Sequence, residues 1–234
     1  MEKVMCALWR PSGRDRAQFS AALISELAPE LTRAGASRVR VNVQDETVAS
    51  GAALRQVASD PQQDAVLQYW LPSANDIFRA EIDGIVARYV EKFAAWLVVE
   101  STIIPNADHP PVRGERTWGF AQLAFLPRPT RLSYEEWRTI WQSSHTRVAI
   151  DTQSNFEYVQ NLIVRPLTEG APEFAAIVEE CFPLAALTDP HAFFDAVGDT
   201  AKFEANLAAM MASCDRFIDQ GAIDVLITSQ YDFG

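Results

Sequence analysis

The chain has 234 residues, 48% of them hydrophobic and 22% charged, and its 20 Lys and Arg stand against 31 Asp and Glu for a formal net charge of −11. So much apolar side chain supports a continuous core and excludes disorder as the organising state. The acidic surface repels phosphate backbones and anionic lipid, so neither nucleic acid nor membrane is expected as a partner.

The opening stretch, MEKVMCALWR, is too short and too charged for a secretory signal. No apolar run approaches the ~20 residues of a spanning helix. Cys6, Cys181 and Cys214 are odd in number and scattered, which fits a reducing, cytoplasmic setting better than a disulfide framework. There is no Cys-x-x-Cys and no close pair of histidines, so no metal site is expected from local ligands. A glycine-rich phosphate loop and a Gly-x-Ser-x-Gly elbow are also missing from the sequence. The expectation is a protein without a cofactor.

KVMCALWRP, an apolar run closed by proline, predicts a first strand. Asp15, three residues before Gln18, opens a helix to about Ala34, stopped by Gly35. Phe19, Leu23, Leu27 and Leu31 recur along it as one buried stripe. SRVRVNV puts Val39, Val41 and Val43 on one face of a second strand, and DAVLQYWL predicts a third. Residues 73–91 read as a helix with Ile77, Ile82, Ile85 and Val86 among its apolar positions, and AAWLVVEST as a fourth strand. The order is β-α-β-β-α-β, a ferredoxin-like unit over 1–103.

Residues 104–116, IPNADHPPVRGER, form a connector rich in proline and charge, with His109 expected in solvent. The order then recurs over 117–234. TWGFAQLAFLP is a strand, and Ser133 with Glu136 is a capping box that opens a helix to about Ile150. NFEYVQNLIV is a strand with Phe156, Tyr158, Gln160 and Leu162 on one face. FAAIVEECF reads as a strand, with a helix as the alternative; His191 follows near a helix start and is expected at the surface. Residues 200–216 form a helix, and AIDVLITS the last strand.

An offset of 118 residues lays one half on the other, placing Asp15 on Ser133, Gln18 on Glu136, Phe19 on Trp137 and Leu23 on Trp141. This points to an internal duplication. Two ferredoxin-like units can bury their open sheet faces against each other, which predicts an α+β fold: a single pseudo-two-fold α+β barrel made within one chain. Such a chain is expected as a monomer with an internal pseudo-dimer, or as a further homodimer.

Within RLSYEEWRTIWQSSHTRVA and FEYVQNLIV, three features stand in order: Trp141 with His145 on the helix, Ala149 four residues later, and the strand Tyr158 to Asn161. In these the sequence resembles the EthD family of the dimeric α+β barrel superfamily, over roughly residues 117–165. The first half departs from the motif, with Leu23 and Leu27 where the second has Trp141 and His145. The resemblance implies a barrel whose pocket lies between helix and sheet. The wider superfamily includes polyketide cyclases, lactone isomerases, cofactor-free monooxygenases and haem enzymes.

On a helix, Trp137, Trp141 and His145 form a slanting row toward the sheet, since Glu135, Arg138 and Gln142 lie away from it. His145 and Tyr158 are the candidate catalytic residues, with Trp141 and Gln160 as candidate substrate contacts. Burial would keep the imidazole neutral and able to act as a general base. Tyr158 could orient it or stabilise an enolate oxygen. The expected activity is cofactor-independent acid–base chemistry of the lyase or isomerase type, on a small hydrophobic compound of aromatic, polyketide-like or lactone character. A small-molecule binding protein, a cofactor-free monooxygenase and haem ligation through His145 are the competing readings.

Overall fold

The computed structural model describes residues 1–234. The first half comprises β1 (Glu2–Trp9), α1 (Arg16–Ala22), a π-helical turn (Leu23–Leu27), α2 (Ala28–Arg33), β2 (Ser37–Val43), β3 (Ala65–Leu71), α3 (Asp76–Ala87) and β4 (Lys92–Ile104), with a 3-10 helix (Glu46–Leu54) between β2 and β3. The second half runs through β5 (Phe120–Leu126), α4 (Tyr134–Thr139), a second π-helical turn (Ile140–His145), α5 (Thr146–Thr152) and β6 (Glu157–Pro166). It continues with β7 (Ala176–Phe182), a 3-10 turn (Leu184–Leu187), α6 (Pro190–Phe193), α7 (Thr200–Cys214) and β8 (Asp224–Asp232).

The helix starts follow from their caps. Asp15 accepts from the Gln18 N–H at 2.8 Å, and Ser133 and Glu136 form a reciprocal capping box. Gly35, at φ +96°, takes the left-handed conformation that ends the first helix. FAAIVEECF resolves as strand β7. Ile77 is not on the buried face of α3: it is 82% exposed, while Ile82, Ile85 and Val86 are buried. The spacing explains this, because the last three lie on one side of a helix and Ile77, five residues before Ile82, does not.

The strands close into an antiparallel barrel in the order β1-β3-β2-β8-β5-β7-β6-β4. Each half supplies the ferredoxin-like order of its own fourth, first, third and second strands. Two seams join the halves, β2 with β8 and β4 with β6. Alternation along each strand then sorts the side chains into two environments. Outward residues such as Cys6, Leu67 and Val41 pack under the first-half helices, and Phe120, Tyr158 and Val178 under those of the second.

Inward residues fill the barrel. Met5, Trp96, Leu123, Phe125 and Leu226 make an apolar plug. Beyond it lies a buried ionic layer, where Arg40 reaches Glu157 at 2.9 Å, Glu179 at 3.0 Å and Asp232 at 3.0 Å, and Lys3 reaches Glu100 at 2.6 Å. No helix is long and apolar enough to cross a membrane.

The connector histidine is not free in solvent. His109 is half-buried and stacks on Trp118 with ring centroids 3.9 Å apart. Phe156 meets the same ring edge-on at 5.0 Å, so it leaves the face shared by Tyr158 and Leu162 and packs toward the barrel interior. It precedes the first residue of β6, where strand alternation no longer sets its direction. His191 is also half-buried, stacked on Phe203 at 4.3 Å.

Candidate active site

A cavity of about 370 Å³ lies between the outer face of the second-half sheet and the helices over it. Gln122, Tyr158 and Glu180 rise from its sheet side, and Trp141, His145 and Phe217 close it from above. No Lys or Arg lines it. The polar groups are therefore few and set in an apolar wall, the usual character of a small-molecule site.

The π-helical turn aims two of these residues. The Thr146 N–H reaches back five residues to the Trp141 carbonyl, and the Thr146 hydroxyl donates to the same oxygen at 3.1 Å. A wider turn of this kind changes the facing of the side chains that follow it. Trp137 and Trp141 are both fully buried with ring centroids 5.1 Å apart, but only Trp141 reaches the cavity wall.

His145 follows on that turn, with its ring 4.6 Å from Phe217. Its Nδ1 lies 3.0 Å from the Ser213 Oγ of α7. Burial, with the Arg216 charge adding to it, lowers the imidazole to about 4. The ring is therefore neutral at neutral pH. Ser213, and not Tyr158, orients it; nothing in the sequence alone brings residues 68 apart into contact.

Tyr158 is 1% exposed and stands opposite Glu180 in the β6–β7 register. Its oxygen accepts from Gln160 Nε2 at 2.8 Å, and the same nitrogen lies 2.8 Å from Thr146 Oγ1. Burial, and then the Glu180 charge, push the phenol above its ordinary range. Gln160 is thus turned onto Tyr158 and Thr146, not onto the cavity. Asn161 faces the other way and accepts from Lys3 Nζ at 2.8 Å inside the barrel.

Glu180 is the group that sequence reasoning did not single out. It is 8% exposed, has no cationic partner, and accepts one hydrogen bond, from Asn155 Nδ2 at 2.9 Å. Burial pushes its carboxyl up to about 7, with the Asn155 bond opposing. Its neighbour Glu179 points into the barrel. Burial alone would raise that group too, but Arg40 and Lys3 outweigh it and hold Glu179 at about 2. The alternation of β7 was the available signal, since it sends two adjacent glutamates to opposite faces.

The first half has no such polar set. At the 118-residue offset Val4 answers to Gln122 and Leu27 to His145, and the fifth residue of β3, Tyr69, answers to Glu180 of β7. Leu23, Leu27 and Tyr69 are fully buried in the core there.

Comparison with known proteins agrees with this division. The EthD domain family matches residues 129–221, which span the helix of His145, β6, β7 and α7. No curated protein matches the sequence. Among solved structures, an anthrone oxidase-like protein superposes with a TM-score of 0.57 at 8% identity, over 100% of this chain and 91% of its own. A candidate monooxygenase from Lactobacillus acidophilus NCFM superposes with a TM-score of 0.49 at 10% identity, over 98% of this chain and 93% of its own. At 8% identity the likeness to the anthrone oxidase-like protein is one of fold. Residues 129–221, the part that holds the cavity's imidazole and carboxyl group, match the EthD domain family.

Proposed function

We propose that the cavity is the active site of a cofactor-independent acid–base enzyme acting on a small, uncharged carbonyl compound of aromatic, polyketide-like or lactone type. The observation that carries this reading is Glu180: a carboxyl group without a cationic partner, on the wall of an apolar cavity that also holds a neutral imidazole. Burial brings this carboxyl to about 7, the range in which a group both accepts and returns protons at neutral pH. Glu180 as carboxylate takes a proton from the carbon beside the carbonyl. The C–H electron pair becomes the C=C bond of an enolate, and the negative charge moves to the oxygen. The carboxylic acid then returns the proton to the same carbon or to another position. Isomerisation, cyclisation and dehydration share that step, and decarboxylation shares only its second part, the delivery of a proton to the carbon.

Two features support an uncharged ligand. The wall offers no Lys or Arg to a carboxylate or phosphate. Gln153 also brings to the wall a buried carbonyl oxygen without a protein partner.

The test is proton exchange in deuterium oxide. A panel of enolisable ketones and lactones is incubated with the protein and followed by proton NMR. The expected result is loss of the α-proton signal of at least one compound, with Glu180→Gln slower by about 100-fold or more. Tight binding without exchange in any panel member would instead mark a ligand-binding protein. Oxygen uptake with a phenolic compound would mark a monooxygenase.

A further inference from the structure

His145 has two ring nitrogens with different surroundings. Nδ1 meets the Ser213 hydroxyl at 3.0 Å, and Nε2 has no hydrogen-bond partner in the protein while the ring lines the cavity. Ser213 is 4% exposed, and its contact with His145 is the only hydrogen bond its hydroxyl makes. It does not bond back along its own helix, as Ser25 does to the Ala21 carbonyl and Thr152 to that of Val148. A serine hydroxyl carries one proton to donate, and a neutral imidazole carries one N–H. If Nδ1 held that N–H, it would donate to Ser213 Oγ and leave a buried O–H without an acceptor. If Nδ1 is bare, the hydroxyl donates to it and both groups are satisfied.

We infer that Ser213 is a positioning residue that fixes His145 as its Nε2–H tautomer, so that the imidazole meets the ligand as a hydrogen-bond donor to a carbonyl oxygen and not as a base. The inference rests on the reading of the cavity as an active site, and deepens it. Glu180 is left as the group that moves the proton, and His145 supplies the N–H that receives the charge developing on the enolate oxygen. A neutral imidazole suits this task, because it donates without delivering a full proton. The ligand atom placed against His145 is then an acceptor, which a ketone, ester or lactone oxygen supplies and a protonated amine does not.

The tautomer is directly measurable. Long-range nitrogen–proton correlation spectra of protein labelled with nitrogen-15 histidine distinguish a bare Nδ1 from a bare Nε2. The chain has only three histidines, and the His145 signals are those lost in His145→Gln. The expected wild-type spectrum shows bare Nδ1 and protonated Nε2, favoured by about tenfold or more at neutral pH. Ser213→Ala should relax the ratio toward that of free imidazole, and Ser213→Thr, which keeps the hydroxyl, should restore it. A wild-type spectrum with the proton on Nδ1 overturns the inference, and so does an unchanged ratio in folded Ser213→Ala.

In the exchange assay, His145→Gln keeps a donor and should remain about tenfold faster than His145→Leu. Equal losses would return His145 to the role of base. The two failures are separable: the tautomer stands or falls on the spectrum of the free protein, whether or not any carbonyl compound exchanges.

Discussion

At the scale of single residues, the contrast between Glu179 and Glu180 holds most of the chemistry. One side chain sits among Arg40, Lys3, Gln68 and Gln230 and stays ionised; the other faces an apolar hollow and holds its proton to about 7. The folded-state value of Glu180 lies above its ordinary 4.5, so its contribution to stability is fully present below about 4.5 and lost as pH rises through about 7. His145 runs the other way. Its folded value of about 4 lies below the ordinary 6.5, so its contribution is present above about 6.5 and lost as pH falls through about 4. Removing the carboxyl with Glu180→Gln leaves only the second effect. The variant should gain stability relative to the wild type between about pH 5 and about pH 8, by up to about 3 kcal/mol. Urea unfolding at both pH values reads this directly, and an equal difference at the two would mean that Glu180 titrates normally.

At the scale of elements, the π-helical turns are the feature that places the site. The first half has one at Leu23–Leu27 and the second at Ile140–His145, at nearly the same place in each repeat. The Ala28 N–H reaches the Leu23 carbonyl as the Thr146 N–H reaches that of Trp141. The difference is the side chain at that step. Thr146 adds a hydroxyl that bonds the Trp141 carbonyl and receives Gln160, which in turn holds Tyr158, whereas the first half has Ala28 there. Thr146→Val keeps the shape and deletes both bonds. It should cost about 1–2 kcal/mol in urea unfolding, because Gln160 loses a partner in a buried setting. No change in the midpoint would show that water replaces the hydroxyl without loss. The caps and strand periods that define the repeats were legible from Asp15, Ser133 and the valines of SRVRVNV, since these are short-range signals. The π-helical turns were not, because a stripe at i and i+4 reads the same whether or not one turn is widened.

For the whole molecule, the two halves depend on each other through the barrel interior. Arg40 comes from β2, while Glu157, Glu179 and Asp232 come from the second half. Lys3 of β1 likewise meets Asn161 of β6. These ions lie where the two sheets close on one another, so the layer exists only in the joined barrel. Breaking a buried pair from one side leaves charge without compensation. Arg40→Met strands three carboxylates and should lower stability by about 3–5 kcal/mol. A loss below about 1 kcal/mol in equilibrium unfolding would mean that the layer is open to water.

By itself the sequence determined the repeat order, the caps, the apolar stripes and the presence of one Trp–His motif on one of two otherwise matching helices. Those are properties of neighbours along the chain, where periodicity and hydrogen-bonding side chains act over a turn or a strand. Only the tertiary structure decided that Glu180 shares a cavity with His145, that Ser213 holds the imidazole, and that Gln160 serves Tyr158 from outside the cavity wall. Each depends on which face of a strand or helix is covered, and by what. That is fixed when distant elements pack, since burial and pairing, not residue type, set how a carboxyl group or an imidazole behaves.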